Sequence, residues 1–245
     1  MRKNRSKHKS EIRNISQDYS HSEIYSKVYR DVLNSGAIGV VNQIFHKAME
    51  SEFKENQKFT RVLEVGAGDG IHRKFVKHNY TQYWQSDILY EEESARGSRG
   101  LESKKYREIH LDAEDLSDLN DNSFNRLIAT CVLIHLKDME KALREWRRVV
   151  VDGGIITIYV PSEPGMLLNL AQYFTTRRKF EKYGVDYYSW QYQEHIHHFP
   201  QARMLIGKVF ASDTIALKKF PLNLLPWHLT LWGVWQIQIN KSEIG

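Results

Sequence analysis

The chain of 245 residues holds one cysteine, Cys131. No intrachain disulfide can form and no cysteine cluster can hold a metal, which suits a reducing, cytoplasmic compartment. No apolar run reaches the roughly 18–20 residues that cross a bilayer. The basic N-terminal stretch carries no apolar segment, so no secretory signal is expected there. Internal repeats are absent. An excess of either charge is also missing from most of the chain. The formal net charge is +5, with 35 Lys+Arg against 30 Asp+Glu. Residues 1–13 account for it, since Arg2, Lys3, Arg5, Lys7, Lys9 and Arg13 stand there against Glu11 alone. No aromatics interleave with these charges, so they give no clear sign of a nucleic-acid surface. Residues 1–20 read as a basic, flexible tail, and 21–245 as one domain. A hydrophobic content of 41% and a charged content of 27% are those of a soluble globular protein.

What is present begins at residues 60–70, Thr-Arg-Val-Leu-Glu-Val-Gly-Ala-Gly-Asp-Gly. A short aliphatic run, Val62 to Val65, breaks into glycines at alternate positions. This reads as a buried strand ending in a tight turn against which a ligand can lie. A helix is expected over 71–77, with its first N–H groups aimed at that ligand. A dinucleotide turn needs G-x-G-x-x-G, but its third glycine position holds Ile71 here. A pyrophosphate is therefore disfavoured.

The spacing G-x-G-x-G after an acidic strand resembles motif I of the class I S-adenosylmethionine (SAM) methyltransferases, of the type 11/12 kind. That resemblance implies an α/β, Rossmann-like seven-stranded sheet, mostly parallel with an antiparallel last strand and helices on both faces. It implies SAM as cofactor, with its methionine end and ribose at the turn formed by Glu64, Gly66, Ala67 and Gly68. Asp87, followed by Ile88, ends the second strand and suits the ribose hydroxyls, since a carboxylate can accept from both; it could equally cap the next segment. Asp112-Ala113-Glu114-Asp115-Leu116 resembles the family's adenine-facing stretch, which gives Asp112, Ala113 and Glu114 that role. Two departures stand beside it: no proline follows Leu116, and Asn125 replaces the family's usual aspartate.

Strands are expected at 81–86, 106–111, 124–131, 155–160, 213–219 and 229–239. Residues 22–34 and 38–50 read as helices. In the family such helices cap the cofactor, so Tyr25 or Tyr29 folds over it or packs on the sheet. A further helix is expected from Asp138 to Val150, stopped by Gly153-Gly154.

The fourth strand adjoins the first in this fold, which brings Thr130 and His135 to the reacting end of the cofactor. Residues 165–199 read as an inserted substrate lid, with Arg177, Tyr188 and Trp190 meeting the acceptor. Its end, Glu194-His195-Ile196-His197-His198, invites a metal reading, but ligand spacing of this kind does not suit one ion and none is assigned. Histidine suits proton removal near neutral pH, and His135, His195 and His198 are the candidate bases.

V-P-S-E-P-G, a basic helix and then E-H-x-x-x-F resemble methyltransferases of bacterial surface-glycan pathways. The implied reaction is O-methylation of a small-molecule or saccharide acceptor. Two rivals are methylation of RNA or protein, and a non-catalytic SAM-binding protein. The positions after strand four read Thr130-Cys131-Val132-Leu133, not the N-P-P-Y of base-amino methylases. The apolar stretch 224–235 packs as core or presents tryptophans to a membrane surface or partner.

Overall fold

The computed structural model describes residues 32, 35–90 and 105–241. Its centre is a seven-stranded sheet in the order β3-β2-β1-β4-β5-β7-β6. The strands are β1 (Lys58–Val65), β2 (Asn79–Asp87), β3 (Tyr106–His110), β4 (Phe124–Thr130), β5 (Val150–Pro161), β6 (Thr214–Phe220) and β7 (Trp232–Gln238). β1 to β5 run parallel, and β7 lies antiparallel between β5 and β6. The central strands read as near-continuous aliphatic runs because helices bury both of their faces.

On one face, α1 (Gly36–Met49) lays Phe45 and Met49 against Val62, Tyr83, Ile128 and Tyr159. On the other, α2 (Met139–Val149) and α6 (Phe199–Val209) bury Leu143, Trp146, Phe199 and Ile206 against Leu63, Leu127 and Ile156. Burial of side chains this large is the main stabilising contribution, at about 1.5–3 kcal/mol each. Between β5 and α6 the chain inserts α3 (Met166–Phe174), α4 (Thr176–Lys182) and α5 (Tyr187–Glu194). Val32 packs with Phe180, Val185, Tyr187 and Trp190 in the small core of that insertion.

The structure departs from the expected elements at several points. The helix expected over 71–77 is only a short 3₁₀ turn, His72–Phe75. The whole connection from β1 to β2 spans residues 66–78, and β2 pairs with β1 from Asn79 onward. His72 is drawn inward to Glu50, which leaves little chain for a full helix. α2 stops at Val149, and the glycines expected to end it lie within β5, Gly153 at φ +70. β5 pairs with β4 at Val150, opposite Phe124, and again from Ile155, opposite Arg126, and the positive φ of Gly153 falls in the irregularity between these pairings.

On α1, Val40, Val41 and Ile44 are exposed, while Phe45, His46 and Met49 are buried. In the 224–235 stretch, Trp232 and Trp235 are core residues and Leu224 is exposed. The expected helix at 22–34, apart from Val32, lies outside the described residues. So do Tyr25, Tyr29, the basic tail and residues 91–104.

Candidate active site

β1 and β4 are neighbours, while the chain from β1 crosses away to β2. This is a topological switch point, where a crevice opens at the carboxyl ends of the strands. A cavity of about 650 Å³ lies there, within the usual range for small-molecule and cofactor sites. It is lined by Glu64, Gly66, Ala67, Gly68, Asp87, Ile88, Asp112, Ala113, Glu114 and Thr130, all ten of the residues expected to meet the cofactor.

The glycines have identifiable reasons. Gly66, Gly68 and Gly70 all have positive φ, at +59, +51 and +66. A Cβ on Gly66 would stand 2.3 Å from Val132, and one on Gly70 would stand 2.2 Å from the side-chain amide of Gln85. Val132 comes this close because Cys131 takes a left-handed backbone, φ 60, at the end of β4.

The amides of Ala67, Gly68 and Gly70 in the turn are directed into the protein. Ala67 N–H donates to Ser86 O, Gly68 N–H to Asp87 Oδ2 and Gly70 N–H to Ala67 O. Tyr90 Oη–H braces the same turn through Gly68 O at 2.6 Å. Glu64 is buried beneath it and accepts from Tyr83 Oη–H at 2.6 Å. Burial raises the Glu64 pKa above the ordinary carboxylate value.

Several cavity residues went unrecognised in the sequence. Asn42, Phe45 and His46 come from α1, His72 from the 3₁₀ turn and Tyr159 from β5. Asn42 and His46 stand four apart, as polar interruptions of an apolar helix. That spacing was the available signal.

His46 and His72 end a buried polar chain. His46 Nδ1 meets His72 Nδ1 at 2.9 Å, and His72 Nε2 meets Glu50 at 2.9 Å. Arg126 donates to both Glu50 oxygens, at 2.9 and 2.6 Å. Burial tends to raise Glu50, but Arg126 and His72 outweigh it and bring the pKa down to about 2. Burial, aided by His72, lowers His46 to about 3.

His135 lines the cavity and follows β4 in a short 3₁₀ turn, Leu133–His135. Its Nδ1 is 2.9 Å from Glu194 O. A carbonyl only accepts, so Nδ1 carries the proton. Burial lowers the His135 pKa to about 4, with His195 adding to the effect. About 28% of the side chain still opens onto the cavity, and water there offsets part of that burial. The neutral ring therefore presents Nε2 as an acceptor.

His195 stands next to His135, with ring centroids 4.8 Å apart and edge to face. It does not line the cavity. Its Nδ1 is in short contact with Glu163 Oε2, and its Nε2 is buried with no hydrogen-bond partner among the described residues. Glu163, at the end of β5, is almost fully buried and also accepts from Gln172 Nε2 at 3.1 Å and from the Gln191 side chain. Burial works against its charge, but these bonds and His195 prevail and hold its pKa below the ordinary value. The Glu163 charge is felt by three cavity residues, Cys131, His135 and Tyr159. Burial is the main cause that pushes the Cys131 thiol up to about 12.

The other expected acceptor residues lie elsewhere. His198 is the N-cap residue of α6, where its N–H donates to Gln201 Oε1 at 3.0 Å. His197 Nε2 turns to Lys137 O at 3.2 Å. The histidine cluster thus divides among separate partners. Trp190 fills the core of the insertion. Arg177 pairs with Glu181 at 2.8 Å and lies over the Tyr173 and Tyr188 rings on the surface. None of Arg177, Tyr188 and Trp190 lines the cavity. The insertion packs or pairs these side chains with its own residues, which residue type alone did not reveal.

This fold and cleft define a Rossmann-like α/β protein with a nucleotide-type site at the switch point. Residues 63–158 match the family model for a methyltransferase domain. No curated protein matches the chain. Among solved structures it is similar to the CurJ carbon methyltransferase, at TM-score 0.57 and 14% identity over 92% of this chain and 62% of that one. It is also similar to the N-methyltransferase NodS from Bradyrhizobium japonicum WM9, at TM-score 0.52 and 12% identity over 85% of this chain and 100% of that one. A third is an S-adenosylmethionine dependent methyltransferase from Mesorhizobium loti, at TM-score 0.50 and 12% identity over 78% of this chain and 95% of that one. At these identities the likeness concerns the fold. Residues 63–158, matched by that model, read as a methyltransferase domain.

Proposed function

We propose that the chain transfers the methyl group of SAM to a hydroxyl oxygen of a small-molecule or glycan-type acceptor, with His195 as the base. The observation that carries this reading is the Glu163–His195 pair. A buried carboxylate accepts from Nδ1, and Nε2 is left buried without a partner among the described residues, beside a cavity-lining histidine. A buried polar atom without a partner is unfavourable unless something arrives to satisfy it. An acceptor hydroxyl would supply that bond on entering beside His135, with the side chains there parting to admit it.

The residues present fit SAM. The positive-φ turn admits close approach, and the carboxylates of Glu64, Asp87 and Asp112 share one cavity with it. Glu64, Gly66, Ala67 and Gly68 would hold the amino-acid end, Asp87 and Ile88 the ribose, and Asp112, Ala113 and Glu114 the adenine. Thr130 would border the reacting end. When bound, this cofactor supplies an electrophilic methyl carbon on a sulfonium.

The protein's own residues do the rest. Glu163 fixes the His195 tautomer and stabilises the positive charge created when Nε2 takes the acceptor proton. His135 Nε2 orients the acceptor by accepting a hydrogen bond. The inserted helices α3 to α5 exclude water from the acceptor side. His198, Arg177, Tyr188 and Trp190 serve the insertion's structure in this reading.

An acceptor screen over saccharides and small alcohols, read by methyl mass shift, tests it. Glu163→Gln should lower kcat by about 10²–10⁴-fold while SAM affinity, read by calorimetry, changes little. Undiminished turnover in that variant would remove His195 as the base. Loss of SAM binding would make Glu163 a cofactor-positioning residue instead.

A further inference from the structure

Helix α3 is built the wrong way round for a helix that packs on its own protein. Its sequence is Met-Leu-Leu-Asn-Leu-Ala-Gln-Tyr-Phe, yet its one buried residue is Gln172. Met166, Leu170, Tyr173 and Phe174, spaced as one helical stripe, are exposed; Leu170 and Phe174 keep 55% and 53% of their surface. Gln172 is turned inward because Glu163 needs its amide. The polar site beneath therefore accounts for the inner face but not for the outer one.

A second apolar feature lies at the same end of the molecule. β6 runs parallel to β5, because both are antiparallel to β7. The loop after Phe220 therefore emerges at the edge that carries the cavity and the insertion. That loop exposes Leu222 and Leu224, the latter at 98%. It is held in shape, with Lys219 N–H donating to Asn223 Oδ1 at 3.1 Å and Leu225 N–H to Leu222 O at 3.2 Å. It continues into the Trp227–Leu229 turn, and the start of α3 packs on that turn at His228.

The charge around these features is mainly positive. Segment 166–183 holds Arg177, Arg178, Lys179 and Lys182 against Glu181, and segment 214–230 holds Lys218 and Lys219 with no acid. Arg177 pairs with Glu181 and Lys218 with Glu52, which leaves Arg178, Lys179, Lys182 and Lys219 as the positive rim. Exposed aliphatic and aromatic side chains rimmed by cations match a lipid surface with anionic head groups. A protein partner would need apolar area without requiring this rim. Arg178 lies over the Phe174 ring, 5.4 Å from its centroid, an arrangement suited to the boundary between acyl chains and head groups.

We propose that α3 and the loop carrying Leu222 and Leu224 dock the protein on an anionic phospholipid surface, with the cavity's edge of the sheet toward the membrane. The proposal does not depend on the acceptor or on His195, and it can stand if that reading fails.

The test is sedimentation of the full chain with phosphatidylcholine vesicles, alone and with about a quarter phosphatidylglycerol. The wild-type chain should bind the anionic vesicles. Leu170→Glu/Phe174→Glu should weaken that binding by about tenfold or more with an unchanged unfolding midpoint. Arg178→Glu/Lys182→Glu should weaken it in a salt-dependent way. Equal binding by the wild type and Leu170→Glu/Phe174→Glu would overturn the proposal and assign the effect to the basic residues 1–13. Absence of wild-type binding would also overturn it. So would a wild-type dimer that the Leu170→Glu/Phe174→Glu chain cannot form, since the face would then be an interface between copies.

Discussion

Asp87 at the end of β2 accepts a hydrogen bond from Gly68 N–H in the glycine turn, Oδ2 to N, at 2.8 Å. Its other oxygen accepts from Leu89 N–H at 2.9 Å. One carboxylate therefore shapes both walls of the cavity. Each oxygen retains lone-pair capacity for a ribose hydroxyl. Asp87→Ala should remove both the brace and the cofactor contact, and we expect SAM affinity to fall by about tenfold or more. Calorimetry measures it; an affinity within twofold of the wild type would mean that Asp87 acts on the turn alone and that the turn keeps its shape without it.

Gly66 tests the geometry of the turn. Gly66→Ala adds a Cβ 2.3 Å from Val132 to a residue at φ +59. The strain and the clash should lower stability by about 1–3 kcal/mol and abolish SAM binding. Val132→Ala in the same chain relieves the clash but not the backbone strain, so partial recovery of stability is expected. Complete recovery would assign the requirement for glycine to Val132 alone.

The buried Arg126–Glu50 pair ties β4 to the end of α1. Glu50→Gln leaves the Arg126 charge uncompensated, and a loss of about 3–5 kcal/mol is expected in urea unfolding. A double change to Leu at 50 and Met at 126 should cost less, because no charge remains buried.

Acid should destabilise the fold in two stages. The folded-state pKa of His46 is lowered from 6.5 to about 3. The unfolded chain thus takes up a proton first, and this contribution is lost as pH falls from about 6.5 toward 3. Glu50 is lowered from 4.5 to about 2, so its contribution is full above about 4.5 and fades toward 2. His46→Asn should reduce the dependence between pH 6.5 and 4.5, read as unfolding free energy against pH, and leave the shares of His78 and His135, each lowered to about 4, together with the lower stage.

The two adjacent histidines should separate kinetically. His135 has its pKa lowered to about 4 and stays neutral through the range where enzymes are assayed. His135→Ala should therefore raise KM for the acceptor without removing a pH-dependent limb above pH 5. His195→Ala should lower kcat by about 10²-fold or more. The opposite assignment of KM and kcat effects would exchange their roles.

The sequence by itself determined the sheet strands, the glycine turn and the residues that line the cavity at the strand ends. Those residues lie at strand ends, and strand ends are legible from apolar runs that stop at glycine or aspartate. It also supplied Glu163 and His195 inside two motifs, V-P-S-E-P-G and E-H-x-x-x-F, but nothing along the chain joined them. Only the tertiary structure did so, by returning α5 over the end of β5 until His195 met Glu163. It likewise turned the apolar stripe of α1 so that Phe45 and His46 face inward and Val40 outward. Periodicity shows that a helix has an apolar side, but the direction of that side depends on what the helix packs against. The same reason hid the outward face of α3, whose one buried side chain is the glutamine that Glu163 requires.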